Sequence, residues 1–490
     1  MGEEDGRRLI TARAKGRIAI SLPAPWPNVA IAICVSTLAG FAILAPIARL
    51  YEFADAAFFS IGIVTQHSWS LVWCNFSGRL SAYLLTIAPA ELMLRLGARP
   101  EAALQVYSAI FWSLPLLSLA LSRLALPRDA RANLITPAVF FVAGAMLVYG
   151  FPTETWIMAS LFWPTLYGVR YLRGWRFAAT APLLLGLFIF SHEMMILGLP
   201  LLVGAAALRN DGRRYLVATG AIVVALVAAY AAVKLAAPPR DAETAKVLAS
   251  NAKWLTTPAA LVSAALECAP FWLELMGCLT FLVLFLRARR SKRLAGRAGA
   301  IGCMAATFIV LIGLEMSGLS QAYANHEGRY HARVVMVPLM LAFGLVALVT
   351  DIRSRAAPAD AASLDGRAVL GLVCAIVFVQ TLENGRFLGR WSVYRAELRE
   401  VVADGRGVPG RLPYKSLSGR AANPAGGRFW ALASPWAAPF QSVLLVAEPR
   451  DLVVAKERKY RPVTCARWKA IEGAFPSSAG FQLLKSYLCK

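Results

Sequence analysis

The sequence predicts an all-α polytopic membrane protein, and three observations predict it. Of its 490 residues, 58% are hydrophobic, well above the roughly 45–50% of a soluble domain. Apolar runs of about 18 or more residues recur along it, each long enough to cross roughly 30 Å of hydrocarbon as a helix. Lys and Arg gather in short clusters between those runs. A formal net charge of +23 would suggest nucleic acid in a soluble chain. Here the clusters have the placement that sets topology, so no nucleic-acid partner is expected.

Taken in order, residues 1–27 read as a basic cytoplasmic tail. The run over 28–50 is too long for the roughly 7–15-residue core of a secretory signal and reads as the first span. Residues 51–100 form a first outer loop, YEFADAAFFSIGIVTQHSWSLVWCNFSGRLSAYLLTIAPAELMLRLGARP. Ten further spans are expected, at 101–126, 134–150, 157–172, 177–190, up to 208, 215–235, 258–286, 298–316, 334–350 and 368–382. Each connection on one side is rich in Arg or Lys, as in RYLRGWR, RNDGRR and RARRSKR, whereas FPTETW and SHEMM on the other side carry none. About eleven spans with a cytoplasmic N-terminus satisfy the positive-inside rule only if residues 80–96 do not cross. That segment is short, lies between Arg79 and Arg95, and contains Pro89 and Glu91. A helix lying in the interface is expected there.

This topology gathers all four histidines, His67, His192, His326 and His331, on the outer face. Glu52, Asp55, Glu154, Glu193, Asp241, Glu243, Glu315 and Glu327 fall on the same face. Ionisable groups converging at one end of a membrane bundle point to a functional cavity. Residues 385–490 would then form a small extracytoplasmic α/β domain, with strand candidates in QSVLLVA and DLVVA. A Cys465–Cys489 disulfide would suit an oxidising periplasm and stays open. Cys34, Cys278, Cys303 and Cys374 lie in apolar runs and read as inert core residues. No Cys or His spacing suggests zinc, and His326, Glu327 and His331 lack strong metal-ligand spacing, so neither cofactor nor metal is expected.

One span, a large outer loop with early acids and interfacial helices, and then GARPEAALQVYSAIFWSLPLLSLALSRLALPRDAR, an apolar helix ending at arginines, make a layout that resembles the GT-C superfamily of membrane glycosyltransferases. That group includes the aminoarabinose, protein O-mannosyl and oligosaccharyl transferases. The SGRL of residues 77–80 behind a Trp-bearing segment also looks like bacterial members of the group. The resemblance covers about residues 28–384 in layout. It implies transfer of a sugar from a polyprenyl-phosphate donor to an extracytoplasmic lipid or glycan, in the bacterial inner membrane, with the C-terminal domain periplasmic and membrane lipids around it. The acidic pair usual in that family is spread out here as Glu52-x-x-Asp55, so either acid is a candidate base.

Such a transfer needs a carboxylate to orient or deprotonate the acceptor hydroxyl, and cations to hold the phosphate as charge develops on it. Asp55 and Glu52, just past the first span, are the catalytic candidates. Arg79 follows Gly78, whose freedom lets the backbone turn tightly and the guanidinium approach a ligand. His192 and Glu193 close an apolar stretch. His326, Arg329 and Arg333 precede the span at 334–350, the two arginines four residues apart and so on one helical face. Lys253 lies in the loop before the span at 258–286. These seven are the candidate donor-phosphate or substrate contacts. Two other readings remain: a polysaccharide polymerase or ligase, disfavoured by the short HEGRYHAR loop, and a transporter or flippase of a lipid-linked glycan, disfavoured by the lack of an internal repeat.

Overall fold

A computed structural model describes residues 26–237 (except 151 and 210), 326–356, 366–405, and in the C-terminal part 440, 441, 444, 452–456 and 459–463. The described residues are mostly helical. Helix α1 is Trp26–Ile47. After a tight turn come α2, Asp55–Val64, and α3, Ser68–Phe76. Helix α4 covers residues 80–95, with a single π-helical turn at Tyr83–Ile87 in which the Thr86 hydroxyl donates to the Ala82 carbonyl at 2.7 Å. Then follow α5, Pro100–Ala125; α6, Ile135–Val148; α7, Glu154–Tyr171; α8, Gly174–Ile189; α9, Leu199–Ala207; and α10, Gly212–Ala236. Helices α11, His326–Ala356, and α12, Gly366–Gly405, return later in the chain. Among the described residues, four stretches are long and apolar enough to cross a membrane: α1, α5, α10 and residues 370–396 of α12. The protein is thus a helical, membrane-embedded chain. The segments at 258–286 and 298–316, and Lys253, lie outside the described residues.

The core explains the order of the helices. Helix α7 is buried almost all round, as expected of a helix surrounded by other helices. Trp156 and Trp163 of α7 and Phe140 and Phe141 of α6 are sunk in a ring-rich centre, with Trp156 edge-on to Phe141 at 5.4 Å and Trp163 against Phe140 at 5.5 Å. Helix α12 closes this core against α1 and α6. Gln380 donates to the Ala143 carbonyl at 3.1 Å, and the Trp391 indole donates to the Ala48 carbonyl at 2.8 Å. Gly150, at φ 84°, lets Phe387 approach so closely that a Cβ there would sit 2.0 Å from the ring.

In the C-terminal part, helix α12 runs unbroken across the 384/385 position where the sequence places a domain boundary, and residues beyond it still pack on the bundle. One strand expectation changes. Within QSVLLVA, read as a strand, Gln441 and Leu444 are helical; Gln441 accepts from the Tyr394 hydroxyl at 2.8 Å, and Phe440 just before it stacks edge-on to Phe58 at 5.3 Å. Tertiary contacts override strand propensity here. The DLVVA stretch does form a strand, β1 at Leu452–Lys456, antiparallel to β2 at Lys459–Val463.

Candidate functional site

The site lies at the end of the bundle where α1 finishes and α5 begins, an adjacency fixed by the Arg49–Glu101 ion pair. The chain leaves α3, and Ser81 at the start of α4 donates its N–H to the Phe190 carbonyl, at the end of α8, at 2.9 Å. Helix α4 therefore starts beside the ends of α8 and α7 and finishes just before α5, so both its ends lie at one end of the bundle. Its neighbours are α2, α3 and α5.

Arg79 is the centre. Its side chain is 8% exposed, and its Nη1 donates to Glu154 Oε1 at 2.8 Å. Nε and Nη2 both approach Glu193 Oε2, at 3.1 and 3.0 Å, so one edge of the guanidinium grips one carboxylate oxygen. The Phe76 ring lies 4.6 Å from the guanidinium carbon. The other oxygen of Glu193 accepts from Lys234 Nζ at 2.7 Å. Lys234 comes from the last turn of α10, whose end is held by the Ser77 hydroxyl donating to the Ala237 carbonyl at 2.8 Å. Gly78 makes this approach possible: a Cβ there would lie 2.6 Å from both Lys234 Cε and the Tyr230 ring. His192 Nδ1 accepts from the Met194 N–H at 3.1 Å and lies 3.8 Å from Glu193 Oε2. In the neutral ring the proton is then on Nε2.

Electrostatics follow from burial and pairing. Burial opposes the charge on Arg79, but Glu154 and Glu193 outweigh it and keep the guanidinium firmly protonated. Burial likewise opposes charge on Glu193, yet Arg79, His192 and Lys234 hold its carboxyl well below the usual carboxylate range. Two cations and two carboxylates balance, which is how a buried charge cluster persists.

Asp55 opens α2, half-buried, and the Tyr107 side chain is within electrostatic reach of both Asp55 and Glu154. Ala54, just before it, is fully buried and holds φ 49°, ψ −129°, a left-handed conformation that costs a non-glycine residue free energy. Such strain persists only where the surroundings over-determine it and tends to gather at functional sites.

Glu52 takes a different place from Asp55. It is 1% exposed and accepts from Arg395 Nε at 2.5 Å, with Arg49 Nη1 at 3.6 Å. Burial pushes its carboxyl up, against the pull of Arg395 and Arg49. It ties α12 to the first loop, and of the two acids Asp55 is the one that shares the electrostatic neighbourhood of Tyr107 with Glu154. Arg79 contacts a carboxylate through each of Nε, Nη1 and Nη2. His67 is exposed in the turn between α2 and α3, with Nδ1 2.5 Å from the Thr65 carbonyl. His326, Arg329 and Arg333 fall in the first turns of α11, but their side chains lie outside the described residues. Glu154, Tyr107 and Lys234 were missed as site residues. The signal for Glu154 was present in FPTETW, an acid with no basic neighbour; Lys234 reads in sequence as a charge snorkelling from a helix end. Among the described residues, no group of three or more His, Cys, Asp or Glu is arranged to hold a metal ion. Comparison of the chain with protein-family models, curated proteins and solved structures gives no match.

Proposed function

We propose that this protein is a membrane glycosyltransferase of the GT-C kind, moving a sugar from a polyprenyl-phosphate donor to an extracytoplasmic lipid or glycan acceptor. The reading includes about eleven spans, a small α/β C-terminal domain, and placement in a bacterial inner membrane with that domain in the periplasm. The observation that carries it is Asp55: a half-buried carboxylate on the first turn of α2, preceded by a strained alanine, at the same end of the bundle as the Arg79–Glu154–Glu193–Lys234 cluster. Asp55 acts as the base that takes the acceptor hydroxyl proton. The cations at that end offset the charge that grows on the departing lipid phosphate. Helix α4, with exposed Leu84 and Leu92 and with exposed Leu96 just past its end, offers an apolar surface where a lipid chain approaches.

The test uses the full chain in nanodiscs made with bacterial envelope lipids and supplied with a glycan acceptor extract and a panel of polyprenyl-phosphate hexoses and pentoses, so that both donor and acceptor hydroxyls are present. Wild type is expected to release polyprenyl phosphate from at least one donor, and Asp55→Asn to lower that rate by at least about 100-fold, the size usual for a general base. Release by D55N at the wild-type rate, or no release by wild type from any donor, overturns the reading.

A further inference from the structure

We propose that Glu193 is an internal stand-in for an oxyanion, occupying a site built by Arg79 and Lys234 for the phosphate of an incoming ligand. The inference rests on the reading above for its ligand class, a phosphomonoester or phosphodiester, but its geometry stands apart from that reading.

The carboxylate of Glu193 is held as a bound anion would be. One oxygen takes the Nε/Nη2 edge of Arg79, at 3.1 and 3.0 Å, and the other takes Lys234 Nζ at 2.7 Å. A planar guanidinium edge and a point ammonium, delivered from two separate elements onto the two oxygens of one group, match the O–P–O of a phosphate as well as they match a carboxylate. The two acids on Arg79 are not equivalent. Glu154 is 6% exposed, at the start of α7, and contacts Nη1. Glu193 is 28% exposed and sits in a one-turn 3-10 segment, Glu193–Leu197, followed by Gly198.

If Glu193 swings out, Arg79 keeps Glu154, so its buried charge stays neutralised. What is vacated is the Nε/Nη2 edge plus Lys234, carrying about one unit of uncompensated positive charge, which a phosphate monoanion restores. His192, 3.8 Å from the same oxygen, adds to the attraction when protonated. Glu193 thus competes with the ligand: it keeps the cluster neutral when empty and sets a threshold on anion binding. No bond is made or broken in the exchange.

The experiment measures binding of inorganic phosphate and of a short-chain polyprenyl phosphate to the full chain in nanodiscs, by calorimetry near pH 7. Compared are wild type, Glu193→Gln, Glu193→Asp and the double variant E193Q/K234M, each first shown to be monodisperse and to melt cooperatively. E193Q is expected to bind tighter by roughly tenfold or more. E193D, whose shorter carboxylate cannot span both cations, should gain less, and E193Q/K234M should lose the gain. A gain for both ligands, or for the lipid phosphate alone, supports a lipid-phosphate site; a gain for inorganic phosphate alone supports the anion site with a free-phosphate source. E193Q and E193D both binding no tighter than wild type overturns the proposal, as does a gain that survives in the double variant. If E193Q gains affinity while no donor sugar is released, the glycosyltransferase reading fails and the anion site stands. If release depends on Asp55 while E193Q gains nothing, the reverse holds.

Discussion

Glu52 shows how a single acid is assigned by its partner rather than its position. It sits three residues from Asp55 on the same short stretch, yet it is sealed against Arg395 at 2.5 Å, while Asp55 stays half-buried within electrostatic reach of Tyr107. Removing one member of a buried ion pair leaves an uncompensated charge and costs about 3–5 kcal/mol. Arg395→Ala is therefore expected to destabilise by about that much at neutral pH, with Arg49 at 3.6 Å recovering a part. The pH dependence has a definite sign. The Glu52 carboxyl is already pushed up by burial, and loss of Arg395 pushes it further. As pH falls through that raised value the acid takes a proton, the buried charge disappears, and the deficit of R395A shrinks. Melting of wild type and R395A in detergent between neutral and mildly acidic pH checks this; a deficit that grows on acidification would contradict it.

Helix α12 is the element on which the bundle closes. Its 40 residues extend about 60 Å at roughly 1.5 Å per residue, about twice the span of a bilayer core, so it passes the end of α1 and continues past the first loop. Contact at that crossing depends on Gly150, where φ is 84° and Phe387 fills the space of a side chain. Gly150→Ala is expected to destabilise by at least about 1–3 kcal/mol, the cost of a residue forced into a left-handed conformation, with overpacking against Phe387 in addition. G150A/F387L should recover the overpacking part of that loss and leave the backbone part. Unfolding in denaturant with all variants measures it. The apolar run that defines the span at 368–382 was legible in the sequence. Its continuation to residue 405 was not, since residues 383–405 are amphipathic and become helical by packing Trp391, Tyr394 and Leu398 on the bundle.

At the scale of the molecule, the buried charge clusters among the described residues divide between two ends. One holds the Arg79 cluster and Glu52. At the other, Arg170 of α7 donates from Nε and Nη2 to Asp351 of α11, at 3.0 and 2.7 Å, and the Tyr171 hydroxyl donates to the same carboxylate at 2.5 Å. Arg170 also bonds the Leu208 carbonyl at the end of α9. This clamp pins three helices together away from the candidate site. Asp351→Asn is expected to cost about 3–5 kcal/mol while leaving phosphate affinity at the other end unchanged. Because D351N and R395A share no partner, their costs should add to within about 0.5 kcal/mol; unfolding of the double variant tests it, and a large coupling would mean the two ends move as one.

That the chain is helical and membrane-embedded was readable from the sequence alone, as were helices such as Trp26–Ile47, Pro100–Ala125 and Gly212–Ala236 to within about three residues at each end, because the length of an apolar run is a local property. It also placed Asp55, Arg79, His192 and Glu193 among the residues to examine, since ionisable groups beside apolar runs stand out. Only the tertiary structure decided their partners. Arg79 meets Glu193 across 114 residues and Glu52 meets Arg395 across 343. The free energy of a buried charge depends on which opposite charge reaches it in space, and no spacing along the chain encodes that.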